Sequence, residues 1–146
     1  MILSDCVKFR YLEGVATADV AFEAFGSSVE EAFENSALAL FDVICDLTTV
    51  SEREKFKIRV ENKDIENLLV DFLSELLYLR DAKKVLLKSF EISIKKNDAY
   101  VLDAVCSGEK FNKQHELRTE VKAVTYHMLE VKKENNNWKT RVVLDI

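Results

Sequence analysis

The sequence predicts an α+β fold, a two-layer sandwich in which two amphipathic helices pack on one face of a mainly antiparallel or mixed β-sheet. Three observations support this prediction. Two segments with helical spacing of apolar residues each follow a capping residue, and seven further segments have strand-like composition. The last four of these strands form two pairs, each separated by a short polar loop that is typical of a hairpin. The predicted element order is β-β-α-β-α-β-β-β-β.

The first two strands are expected at residues 7–12 and 18–25. In the second strand, Val20 and Phe22 alternate with more polar positions that begin at Asp19. Successive side chains of a strand point to opposite faces of its sheet. We therefore expect Asp19 to lie on the face opposite Val20 and Phe22, where its carboxylate is available for chemistry.

The two helices are marked by their capping residues. Ser28 and Glu31 have the spacing of a capping box at the start of a helix predicted over residues 28–46. A third strand is expected at 55–60, and Asp64 then caps a second helix with a leucine-rich apolar stripe. Because each helix has one apolar face, we expect each to pack against a sheet.

Two hairpins complete the chain. Residues 85–95 and 99–107 form the first, and residues 120–131 and 138–146 form the second, across the loop that runs from Glu134 to Asn137.

The register of the second hairpin decides which side chains meet. If Glu134 pairs with Asn137 and the pairing is unbroken, Asp145 lies opposite Tyr126. Lys122 then lies four residues beyond Tyr126, ~13 Å along the strand. On spacing alone, an ordinary solvated lysine is the simpler interpretation of Lys122.

The composition indicates which classes of protein the chain can belong to. The chain has 146 residues, which suits a single domain spanning 1–146. Its hydrophobic content of 48% and charged content of 32% are typical of a globular protein, and it contains neither a long apolar run nor a signal-peptide pattern. Three widely spaced cysteines, Cys6, Cys45 and Cys106, predict reduced core thiols in a cytoplasmic protein. The net charge of −5 argues against strong binding of nucleic acid by the protein alone.

Several chemistries lack support in the sequence. His115 and His127 are the only histidines, and their spacing does not suit a metal site. No glycine-rich phosphate loop and no nucleophile-elbow motif is present. Nucleotide binding and serine hydrolase chemistry are therefore not expected.

Two acidic groups lie together at the last residues of the sequence. A β-type segment runs to Asp145 and Ile146, where the terminal carboxylate follows an aspartate side chain. A hard cation bound by these oxygens is one explanation. An edge strand with both carboxylates in water is the other, and it is favoured by this pair alone.

Several segments together resemble the archease family over nearly the whole chain. They are Glu120–His127, Val142–Ile146, Thr17–Val20 with Gly26, Glu30–Asn35 and Leu68–Leu77. The most specific parts are Lys122–His127 and the pair Asp145–Ile146. One position departs from the family pattern, which usually has His-Thr-Ala-Asp where this sequence has Ala16 before Thr-Ala-Asp. The carboxylate of Asp19 is kept, whereas the imidazole is absent.

The resemblance implies an accessory protein, not an enzyme, whose partner is an RtcB-type RNA ligase of tRNA splicing. Archeases promote guanylylation of that ligase and its multiple turnover. The resemblance also implies a divalent metal bound by Asp19, Asp145 and the terminal carboxylate of Ile146, and it makes Lys122 the lysine needed for ligase activation. The three carboxylates suit calcium above all, with magnesium or manganese as alternatives.

Two other functions stay open at this point. The first is a general chaperone of tRNA processing or modification. In that role the protein would bind tRNA directly, whereas an accessory protein of the ligase would contact tRNA only indirectly. The second is a small metal-dependent phosphohydrolase that uses the same carboxylates to activate water. The absence of an evident general acid or base near these carboxylates argues against the hydrolase. No membrane association is expected.

Overall fold

A computed structural model describes residues 7–15 and 19–146 of the chain. Predictions that concern Cys6, Ala16, Thr17 and Ala18 lie outside the described residues. The elements are β1 Phe9–Leu12, β2 Asp19–Gly26, α1 Val29–Ile44, β3 Glu54–Asn62, α2 Ile65–Lys83, β4 Val85–Lys96, β5 Tyr100–Lys110, β6 Ala123–Val124, β7 Glu130–Glu134 and β8 Asn137–Asp145, with a short 3-10 turn at Leu47–Thr49.

The start of α1 follows the predicted capping box with one difference. The Ser28 hydroxyl accepts a hydrogen bond from the Glu31 backbone N–H at 3.1 Å. The Glu31 carboxylate, however, accepts from the backbone N–H of Ser27 at 2.6 Å. Gly26 makes this tight junction possible, because a Cβ at that position would lie 2.4 Å from the backbone nitrogen of Ala32.

The second helix begins where the sequence predicts it. The Asp64 carboxylate accepts a hydrogen bond from the Asn67 backbone N–H at 3.0 Å, a type of contact that stabilises a helix by about 1 kcal/mol. The helix ends with Lys84 in the left-handed conformation, at φ 55°. Arg80 and Lys83 lie in its last turn, where positive charge is favourable beside the unpaired carbonyl groups.

The strands form two antiparallel sheets. One has five strands in the order β1-β2-β8-β6, with β7 also paired to β8, and the other has the order β3-β5-β4. The expectation of a single sheet is therefore wrong in this respect. The reason lies in β5, whose two sides are occupied by β3 and β4, so that the last hairpin pairs with β2 instead.

Both helices pack against these sheets, which confirms the predicted α+β class. Helix α1 contacts β2 and β8 of one sheet and β4 of the other, whereas α2 contacts β3, β4, β5 and β6. The largest fully buried side chains are aromatic and aliphatic: Phe22, Phe33, Phe41, Phe72, Leu40, Leu68, Leu69, Leu73, Leu76, Leu87, Leu102 and Leu144. Burial of each stabilises the fold by about 1.5–3 kcal/mol.

The last hairpin departs from the register that unbroken pairing requires. Glu134 pairs with Asn137 and Glu130 with Arg141, as predicted. Farther along, however, Ala123 and not Tyr126 pairs with Asp145.

The cause of this shift is an insertion in the first strand of the hairpin. Five residues, Thr125–Leu129, separate the pair Val124–Leu144 from the pair Glu130–Arg141, but only two residues separate them on β8. The insertion turns back on itself, because the Leu129 N–H donates to the Tyr126 carbonyl at 3.3 Å and Met128 adopts a φ of 55°. The predicted strand 120–131 is therefore divided into β6 and β7.

Two cysteines fall within the described residues, and both are buried free thiols, as predicted. Burial raises the pKa of Cys45 to about 11 and that of Cys106 to about 12. Both thiols are therefore protonated and unreactive at neutral pH. None of the described helices has the length and apolar character that crossing a membrane requires.

Candidate functional site

The structure brings Asp19 and Asp145 together as direct partners across β2 and β8. Residues directly opposite each other in an antiparallel pair point to the same face, with Cβ atoms about 4.5–5.5 Å apart. Both aspartates are half-buried. Because like charges in this arrangement repel each other, the pair is destabilising unless a positive charge is shared between the carboxylates.

The face that carries the pair is set by the strand pattern. The neighbouring cross-strand pair is Val20 with Leu144, and Leu144 is fully buried. Alternation then turns Asp19 and Asp145 away from the apolar core. The position predicted for Asp19, opposite the face of Val20 and Phe22, agrees with this arrangement.

The main chain of Lys122 lies beside that of Asp145, closer than the unbroken register requires. Its backbone N–H donates to the Asp145 carbonyl at 2.8 Å, and the next residue, Ala123, pairs with Asp145. The predicted separation of ~13 Å between Lys122 and the residue opposite Asp145 is therefore wrong, because the insertion shifts the register by three residues.

The lysine side chain is accessible from solvent. Lys122 and Ala123 are both exposed, whereas Val121 and Val124 on either side are buried. Strict alternation is therefore broken at Lys122, just before β6 begins. The main chain of Lys122 is fixed by Asp145, and its side chain is exposed to solvent.

Ile146 follows Asp145 directly and is held by its side chain. It is half-buried and packs against the hydrophobic core. This packing places its main chain next to the aspartate pair. The main chain of Ile146 is therefore held close to Asp145.

The donor set suits a hard divalent cation. Among residues 7–15 and 19–146, no three histidine, cysteine, aspartate or glutamate side chains are grouped to hold a metal. The predicted set differs from such a group, because it combines two side chains with one main-chain carboxylate. In the described part of the chain, moreover, the ion pairs involve other acids, such as Glu23, Asp103 and Glu109, and leave both aspartates free. Oxygen donors without nitrogen or sulfur match calcium, magnesium or manganese.

A second cluster of titratable residues has a structural role. The Nε2 of buried His115 lies 2.6 Å from the Glu109 carboxylate, while its Nδ1 accepts from the Asn112 backbone N–H at 2.9 Å. Because Nδ1 accepts a hydrogen bond, Nε2 is the ring nitrogen that donates to Glu109. Arg53 and the Ser51 backbone N–H also bind Glu109.

The main effect of this network is on the pKa of Glu109. The hydrogen bond from His115 lowers the pKa of Glu109, and the Ser51 N–H adds to the effect. Because every polar atom named in this cluster has a partner, it holds the segment after β5 in place. His127, the other histidine, is exposed, and its backbone N–H donates to the Thr125 hydroxyl at 3.3 Å.

Two grooves are found on the described part of the chain. A groove of about 1310 Å³ is lined by the end of β2, by α1 and by β4. A second, of about 610 Å³, is lined by the end of α2 and the segment after β5. Neither of these two grooves is lined by Asp19, Lys122 or Asp145.

Comparison with known proteins gives consistent matches over most of the chain. The model of the Archease protein family matches residues 9–146. A protein archease of Methanosarcina mazei is 45% identical, covering 95% of this chain and 96% of its own. One from Pyrococcus furiosus is 41% identical, covering 89% of this chain and 94% of its own. The solution structure of Methanobacterium thermoautotrophicum protein 1598 superimposes with a TM-score of 0.85 at 40% identity, covering 95% of this chain and 99% of that one.

Proposed function

The chain belongs to the archease family, and we propose that it is a non-catalytic activator of an RtcB-type RNA ligase in tRNA splicing or RNA repair. In this proposal it promotes guanylylation of the ligase and allows multiple turnover. The observation that supports it most directly is the surface cluster in which Asp19 faces Asp145 and Lys122 is bonded to the Asp145 main chain.

The aspartate pair is proposed to hold a divalent metal together with the α-carboxylate of Ile146. Calcium is the preferred ion, and magnesium or manganese are alternatives, because all three accept carboxylate oxygen as a ligand. A bound cation would offset the repulsion between Asp19 and Asp145 and order the end of β8. Its chemical contribution would be positive charge directed at phosphate or at an acidic group of the ligase.

Lys122 is proposed to act directly on the partner. An exposed ammonium group beside a metal site can contact a phosphate oxygen or a partner carboxylate without disturbing the metal ligands. The acidic net charge of −5 fits a factor that docks on an enzyme and leaves the RNA to that enzyme. Contact with tRNA is then indirect, through the ligase.

The decisive experiment is a single-turnover guanylylation assay of the cognate ligase with GTP and manganese, in the presence and absence of this protein. We expect faster formation of the ligase–GMP adduct, and repeated rounds of ligation when the RNA substrate is in excess. A variant with Asp98→Asn, in the exposed β4–β5 turn, is a matched control that should activate normally.

Three other results would contradict the proposal. Equal adduct formation with and without the protein would exclude activation. Binding of tRNA without ligase, persisting at moderate salt, would favour a tRNA chaperone. Release of product from a generic phosphoester by the purified protein would favour a phosphohydrolase.

A further inference from the structure

The peptide group that joins Val121 to Lys122 is held at both of its polar ends. Its N–H, on Lys122, donates to the Asp145 carbonyl at 2.8 Å. Its carbonyl, on Val121, accepts from Nη2 of Arg80 at 2.9 Å. One rigid peptide plane therefore connects helix α2 to the strand that carries Asp145.

We propose that Arg80 is the positioning residue for Lys122: its guanidinium, through the Val121 carbonyl, fixes the peptide that places Lys122 beside the aspartate pair. This inference rests on the proposed function of Lys122 in ligase activation. It adds a residue that neither the sequence pattern nor the resemblance identifies.

Arg80 is suited to this task because its own position is fixed. Its side chain is only 16% exposed, and its Nε donates to the carboxylate of the exposed Asp81 at 2.9 Å. One turn earlier, Leu76 and Leu77 are buried in the core. The guanidinium is thus anchored by the helix below it and by a second contact, so it offers Nη2 in one direction.

The segment that Arg80 contacts is irregular, and backbone hydrogen bonds from Arg118 and Thr119 to the end of α1 hold its earlier residues. Residues 111–122 contain no regular strand or helix, apart from an isolated bridge between Leu117 and Cys45. Val121 is fully buried, which removes its carbonyl from competing water. A charged donor strengthens a hydrogen bond to such a carbonyl and polarises the peptide. The Lys122 N–H then becomes a better donor to Asp145.

The test compares Arg80→Met with Lys83→Met by amide hydrogen exchange and by ligase guanylylation. Both substitutions remove one positive charge from the last turn of α2, but Lys83 is exposed and is not a donor to the Val121 carbonyl. In Arg80→Met we expect the Lys122 amide to exchange about tenfold faster, as loss of a charged hydrogen bond implies. The amide of Leu102, in the buried strand β5, should exchange at the wild-type rate in both variants.

The guanylylation assay then tests whether faster exchange of the Lys122 amide is accompanied by a loss of ligase activation. We expect Arg80→Met to lower activation about tenfold, with calcium affinity changed less than threefold, because the proposed ligands lie on β2, at the end of β8 and at the residue that follows it. Lys83→Met should activate as wild type does. Arg80→Lys, which restores one charged donor, should recover part of both the Lys122 protection and the activation.

The possible failures are distinguishable. Unchanged exchange at Lys122 in Arg80→Met overturns the positioning role, whatever the ligase does. Equal acceleration at Lys122 and Leu102 also overturns it, because that result assigns Arg80 to general stability. If wild-type protein fails to activate the ligase while Lys122 exchange still depends on Arg80, the proposed function fails and the positioning geometry stands.

Discussion

Because Asp19 and Asp145 face each other, we expect the effect of Asp19→Asn on stability to have opposite signs with and without bound metal. In Asp19→Asn one of two opposed negative charges is removed from the β2–β8 pair. At a separation of ~5 Å, two unit charges repel by about 0.8 kcal/mol in water and by about 3 kcal/mol at an effective dielectric constant of 20. Both residues are half-buried, and the repulsion lies near the lower value because solvent reaches the pair. Without metal, we expect Asp19→Asn to be about 1 kcal/mol more stable than wild type.

With metal the order should invert. A ligand that binds only the folded state at 100 times its dissociation constant stabilises a protein by about 2.7 kcal/mol. Asp19→Asn replaces a charged ligand by a neutral amide, so that calcium binds it much more weakly and adds little stability. For a chain of this length, 1 kcal/mol corresponds to about 3–5 °C in Tm.

The assay is thermal unfolding of wild type, Asp19→Asn and Asp98→Asn, each in excess chelator and in excess calcium. The Asp98→Asn control makes the same chemical change at the exposed β4–β5 turn, and its Tm should follow wild type in both buffers. In chelator, Asp19→Asn should melt a few degrees above wild type, and in calcium several degrees below it. If Asp19→Asn melts at or below wild type in chelator and gains as much as wild type from calcium, the two carboxylates neither repel each other nor share a metal.

Three further predictions concern neighbouring groups. Lys122→Ala should abolish activation in the guanylylation assay with calcium affinity nearly unchanged, and Lys122→Arg should restore little because a planar guanidinium replaces a compact ammonium group. Residues appended after Ile146 convert its carboxylate into a neutral peptide carbonyl, so calorimetric titration should show much weaker calcium binding than with an N-terminal tag. For Glu109, whose pKa is lowered from 4.5 by the hydrogen bond from His115, the ionised form contributes stability above pH 4.5 that is lost as the pH falls through its folded-state pKa. Glu109→Gln should therefore lower Tm at pH 7, and the difference from wild type should shrink in acid.

The local features of the fold follow from short-range chemistry and were predictable for that reason. The caps at Ser28 and Asp64 depend only on residues three positions away. The turn between β7 and β8 is equally local, and Glu134 pairs with Asn137 as expected. Alternation along β2 also places Asp19 correctly, because a strand with one buried face has one allowed orientation.

The division into two sheets was not predictable from such patterns. It depends on which strands pair across long separations, and the paired residues of β3 and β5 are 38 to 54 positions apart, from Asn62–Tyr100 to Glu54–Gly108. Composition marks each strand but does not choose its partners. The role of Arg80 is hidden for the same reason, since its contact with Val121 joins residues that are 41 positions apart.

The insertion at Thr125–Leu129 shows why the candidate site in particular resisted prediction. The segment contains no glycine, proline, asparagine or aspartate to mark a turn, and the left-handed position is taken by Met128, a residue type seldom found there. Local chemistry supports the break instead, because the Thr125 N–H and hydroxyl both donate to the Val143 carbonyl, at 3.0 Å and 2.9 Å.

The insertion also determines where Lys122 lies relative to Asp145, which matters for the proposed function. Unbroken pairing would set Tyr126 opposite Asp145 and carry Lys122 away along the strand. With three surplus residues folded into the insertion, the Lys122 N–H meets the Asp145 carbonyl, and Tyr126 and Met128 are displaced outward, where they are 62% and 43% exposed. The position of the lysine relative to the carboxylates is therefore decided by the insertion together with the Arg80 contact, and the strand pattern alone cannot produce it.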